Sequence, residues 1–90
     1  MNCELEAQIG AKERAFDRAR DRVDQLEFAL RAAENALDRE CVEFHREKTR
    51  KQIKRIEFDL AAARHAMASA RDELESAWAL RNQNGEEQQQ

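Results

Sequence analysis

Apolar residues recur every seven positions through the first half of the chain: Ile9, Phe16, Val23, Leu30, Leu37 and Phe44. The companion position reads Leu5, Lys12, Ala19, Leu26, Ala33 and Glu40, a weaker series rich in small side chains. Together they make the a/d seam of a coiled-coil helix. The pattern predicts a first helix over about 3–46, started by an Asn2 cap with Glu4 and Glu6 placed to favour the helix dipole. A second seam follows, with Ile53, Leu60, Met67 and Leu74 at one position and Ile56, Ala63, Ala70 and Ala77 three residues later. It predicts a helix over about 50–81, stopped by the Asn-rich stretch 82–84 and Gly85. Residues 85–90 read as a disordered polar tail.

The two seams are out of step, because Phe44 and Ile53 lie nine residues apart. Coiled coils absorb insertions of three or four residues while keeping a seam, and two extra residues break it. The break is expected at a turn over about 47–50, with Thr49 and Gln52 as the capping box of the second helix. Folding back there sets Phe44 against Ile53, Leu37 against Leu60, Leu30 against Met67 and Val23 against Leu74, large against large. Small residues then meet as well, Ala33 with Ala63 and Ala19 near Ala77. The expected fold is all-α: one unit over 1–84, a long antiparallel two-helix coiled-coil hairpin that dimerises into a four-helix bundle. A bent or continuous helix in an oligomer is the alternative. In this register Ile9 and Phe16 overrun most of the partner seam and need cover from another molecule.

Composition narrows the class. Charged residues make up 39% of the 90-residue chain, Pro is absent and Gly occurs twice, a bias toward long helices. So hydrophilic a chain buries a thin core and gains from association. The longest apolar run, residues 60–63, is far below the ~18 residues that cross a bilayer. The N-terminal residues lack the pattern of a signal peptide. A cytoplasmic protein with no membrane contact is expected. Arg outnumbers Lys twelve to four, a weak sign of a GC-rich bacterial or phage genome.

Candidate chemistry is sparse. Arg46, Lys48, Arg50, Lys51, Lys54 and Arg55 crowd into ten residues with one acid, Glu47. This basic tip suits an acidic protein partner or, through salt-sensitive phosphate contacts, a nucleic acid. As a plain solvated turn it would favour the first helix's C-terminal dipole, with Glu47 and Lys51 paired. Aromatics do not interleave these cations along the sequence, and overall acidity counts against nucleic acid. Cys41 and His45 have half the geometry of a zinc site but lack two further ligands, and a small buried thiol explains Cys41 better. Two cysteines, Cys3 and Cys41, make no disulfide framework. Asp17 and Asp21 alternate with Arg14, Arg18, Arg20 and Arg22 in what reads as a local salt-bridge network. With no pocket to desolvate an acid or base, no nucleophile with its base and no phosphate loop, the chain is expected to be no enzyme and to use no cofactor or metal.

Apolar residues off the seams are more telling. Phe28, Val42, Phe58 and Trp78, with the overrunning Ile9 and Phe16, form the expected association surface. In architecture alone the chain resembles small helical-hairpin adaptors, chaperones and inhibitors of larger machines, and a dimeric RNA-binding hairpin. Shape carries no function by itself. The expected function is a non-enzymatic protein–protein interaction module, with nucleic-acid binding through the basic tip as the alternative.

Overall fold

A computed structural model describes residues 2–88, with side chains over 3–83. Two helices, α1 (Asn2–Arg39) and α2 (Glu43–Gln88), pack as an antiparallel hairpin in a rod 71 × 15 × 15 Å. Among the described residues there is no strand, and no helix is long and apolar enough to cross a membrane.

The reversal occupies residues 40–42, about seven residues earlier than the seam pattern predicts. No described residue there or elsewhere has a positive φ, so the turn needs no glycine. Side chains hold it instead. The Arg46 guanidinium donates to the Leu37 carbonyl at 2.9 Å and to the Glu40 carbonyl at 3.0 Å. The Leu37 carbonyl also accepts from the Glu40 N–H at 3.3 Å, and both carbonyls lie where α1 ends and its i,i+4 bonding runs out. A Glu40 carboxylate oxygen accepts from the Val42 N–H at 3.1 Å, and the Arg46 N–H bonds to the Val42 carbonyl at 3.0 Å as α2 begins. Arg39 in the last turn of α1 and Glu43 in the first turn of α2 complement the two dipoles. Thr49 and Gln52, expected to open the second helix, lie inside α2.

The early turn moves the register. Ile9 packs with Leu74 and Ala77, flanked by Leu5 and Phe16. Val23 and Leu26 pack with Leu60, flanked by Leu30, Ile56, Ala63 and Met67. Facing residues therefore have numbers that sum to about 86, as in Ile9 with Ala77, Leu26 with Leu60 and Leu30 with Ile56. The expected pairing, Val23 with Leu74 and Leu37 with Leu60, is displaced by about 11 residues, which is close to three helical turns. A slide of whole turns keeps the same side chains on the seam, and the chosen one covers nearly all of α1. Ile9, expected to overrun the partner, is 2% exposed, and Phe16 is half-buried beside it. Ile9 is thus covered within the hairpin itself. Phe44, expected in the seam, is 73% exposed near the start of α2. Arg46 stands at the heptad position that precedes Ile53, so the α2 seam starts at the turn without a break. Across the two layers some facing pairs are large with small, as in Ile9 with Ala77 and Val23 with Ala63, and others large with large, as in Leu26 with Leu60.

Toward the open end, Lys12 pairs with Glu73 at 3.8 Å and Arg81 with Glu6 at 3.7 Å, while Arg64 bonds Glu27 at 3.3 Å nearer the middle. These pairs are largely exposed and contribute little each. α2 continues through Gly85 to Gln88, past its expected end at Arg81. The last two positions of the expected 85–90 tail, 89 and 90, lie outside the described residues.

Ile9→Ala should cost about 2–5 kcal/mol of unfolding free energy in urea titrations, whereas Phe44→Ala should stay within about 0.5 kcal/mol. Equal losses at the two positions would contradict this register. Arg46→Ala, which removes two hydrogen bonds across the turn, should cost about 1–2 kcal/mol by the same measurement.

Candidate partner-binding surfaces

A two-helix layer buries one stripe of each helix and leaves the other faces in water. The accessible area is 7210 Å², against about 5400 Å² for a compact globular chain of this mass. The buried set among the described residues is six apolar side chains, and no polar or charged side chain is buried.

The basic tip divides into two groups. All six cations lie on the first turns of α2, and none is on the end of α1. Arg46 is committed to the turn. Arg50 donates to a Glu43 carboxylate oxygen at 2.9 Å and approaches Glu47 at 3.9 Å, with Arg46 also 3.9 Å from Glu43. The Arg50 hydrogen bond and charge, aided by Arg46, hold the Glu43 carboxyl below its ordinary 4.5. Lys48, Lys51, Lys54 and Arg55 are exposed and form no salt bridge among the described residues.

Three of those four share one face. Taking Ile53 as a and Ile56 as d, Phe44, Lys51 and Phe58 fall at f, and Lys48 and Arg55 at c. These positions point away from α1. The result is a ridge that reads Phe44, Lys48, Lys51, Arg55, Phe58, cations bracketed by two phenyl rings about three-quarters exposed. Sequence reading placed Phe44 in the seam and so missed the bracket. Its 4-3-4-3 spacing was the available signal. Phe44 also meets the His45 ring edge-on at 5.7 Å.

The outer face of α1 differs. Taking Ile9 as a, Arg14, Asp21 and Phe28 fall at f and Asp17 and Asp24 at b, all exposed. In place of the expected salt-bridge network, one pair forms here, Arg20 with Asp17 at 3.5 Å. Asp21 and Asp24 have no salt bridge among the described residues. Phe28 is 76% exposed.

The remaining candidates scatter. Val42 sits exposed in the turn, 52% accessible and outside either helix. Trp78 and Leu80 lie near the open end, where Leu80 borders a shallow groove with Leu5, Lys12 and Glu73. Cys3 and Cys41 are free and exposed. Cys41 is therefore no buried thiol, and because it precedes α2 its spacing from His45 is not one helical turn. Among the described residues no group of three or more His, Cys, Asp or Glu side chains could hold a metal ion.

Since Arg50 favours the charged form of Glu43 in the fold, this contribution to stability is complete above the usual glutamate range. It disappears as pH falls through the lowered folded value. Arg50→Met should raise the Glu43 midpoint toward 4.5 in an NMR titration. An unmoved midpoint would show that Arg50 does not hold it.

No family model matches this chain, and no curated protein or solved structure is similar to it.

Proposed function

We propose that this chain is a non-enzymatic protein–protein interaction module whose α2 ridge docks on an acidic protein surface. The observation that carries the reading is the ridge itself: Lys48, Lys51 and Arg55 exposed on one helix face between Phe44 and Phe58. Hydrated cations steer a partner of opposite charge, and exposed aromatic side chains supply the apolar area that makes contact persist. Free surface phenylalanines cost solubility, so a covered state gives them a role. A small adaptor, chaperone or inhibitor of a larger bacterial or phage machine would work through such a ridge.

The same ridge gives the nucleic-acid alternative an aromatic component that the linear sequence lacks. Its spacing suits that use poorly. Phe44 and Phe58 are 14 residues apart, about 21 Å along the helix, too far to stack neighbouring bases. The carboxylates on α1 and the net charge of −3 also repel phosphate.

Fluorescence anisotropy with labelled polyglutamate and a labelled 20-nucleotide single strand separates the two. Polyglutamate should bind at low salt and be lost on K48E/K51E/R55E, with the oligonucleotide bound no more tightly. Preferential, steeply salt-dependent oligonucleotide binding would replace this reading with the alternative.

A further inference from the structure

The two outer faces of the hairpin are complementary to each other, and one chain cannot bring them together. α1 and α2 run antiparallel through a three-residue turn, with both faces directed away from the seam. In a second copy the helices are free to align in parallel. Set Asp17 level with Lys48, and the whole face follows at a constant offset of 30–31 residues: Asp21 meets Lys51, Asp24 meets Arg55 and Phe28 meets Phe58. Levels agree to about one residue, ~1.5 Å of rise. Arg14 falls beside the Phe44 ring, a cation–π geometry.

Flank geometry agrees as well. Two parallel helices that face each other wind in the same sense, so the b flank of one meets the c flank of the other. Asp17 and Asp24 are at b on α1, and Lys48 and Arg55 are at c on α2. On the opposite flank, Arg18 at c of α1 falls opposite Glu47 at b of α2, so this cation also meets an acid. Of the six charges in the two triads, only Asp17 has a salt bridge within the chain, a solvent-exposed one to Arg20.

Resting on the reading of the α2 ridge as a dock for acidic protein, we infer that its partner is the α1 outer face of a second copy of this chain, packed parallel to it. Asp17, Asp21 and Asp24 receive Lys48, Lys51 and Arg55, and Phe28 closes on Phe58. The contact is heterologous. Each hairpin presents the acidic face on one side and the basic face on the other, so copies join head to tail and form a ring or an open row. This differs from a self-complementary four-helix bundle, in which one face pairs with itself.

Sedimentation velocity on the full chain tests the pairing. Wild type should grow in mass with concentration above the 10.5 kDa of one chain, and high salt should reverse the growth. D17K/D21K/D24K leaves both outer faces basic, and K48E/K51E/R55E leaves both acidic. Each variant alone should lose association by about 100-fold or more. Mixed in equal amounts they should associate again, because each supplies the face that the other lacks. Misfolded variants could not be rescued by mixing, and circular dichroism checks their helicity independently. A wild type that stays monomeric, a single reversal that leaves association intact, or a mixture that stays monomeric would each overturn the inference. Monomeric wild type that still binds polyglutamate would overturn self-pairing and keep the interaction module, whereas loss of both would overturn both.

Discussion

The Arg46 side chain, reaching back across the turn to the Leu37 and Glu40 carbonyls, fixes where this chain reverses. Everything else is counted from that point. A helix end leaves its last carbonyls short of donors, and an unmet carbonyl near the packed layer is costly. One guanidinium from the next helix bonds the Leu37 carbonyl at the end of α1 and the Glu40 carbonyl just past it, and in doing so sets the register of every layer out to Ile9 and Ala77. It also takes Arg46 away from the charged surface and assigns Phe44 to the outside of α2. The outer ridge and the inner seam are consequences of the same hydrogen bonds.

With the register fixed, energetics divide along the rod. The seam is narrow, and its two buried clusters are modest. Exposed ion pairs such as Lys12 with Glu73 and Arg64 with Glu27 select the alignment more than they stabilise it. Exposed aromatic rings and unpaired charges are concentrated on the faces that point away from the seam.

The seam faces were legible from the heptads, because the seven-residue repeat of Ile9, Phe16, Val23, Leu30 and Leu37 says which side of a helix is buried. The register was not. Sliding one helix past the other by about three turns keeps the same residues inward, so apolar spacing cannot distinguish Leu60 opposite Leu37 from Leu60 opposite Leu26. The deciding contacts are polar ones at residues 37–46, with no Gly or Pro to mark them. Phe44 continues the α1 repeat by its number, which is why it reads as core from the sequence and stands 73% exposed in the fold. The basic cluster was legible as a cluster. Its separation into Arg46 and Arg50, engaged at the turn, and Lys48, Lys51 and Arg55, directed outward, depends on where α2 begins.

The turn also orders the closing of the hairpin. Contacts near residues 37–46 join neighbours in the chain, whereas the Ile9, Leu74 and Ala77 cluster joins residues more than 60 positions apart. Loop closure is cheapest beside the turn, and each layer formed shortens the loop left for the next. Such a molecule zips from the turn outward and frays from the opposite end. Backbone amides should accordingly exchange with solvent along a gradient, fastest where α1 begins and slowest in the layers that Val23, Leu26 and Leu60 build.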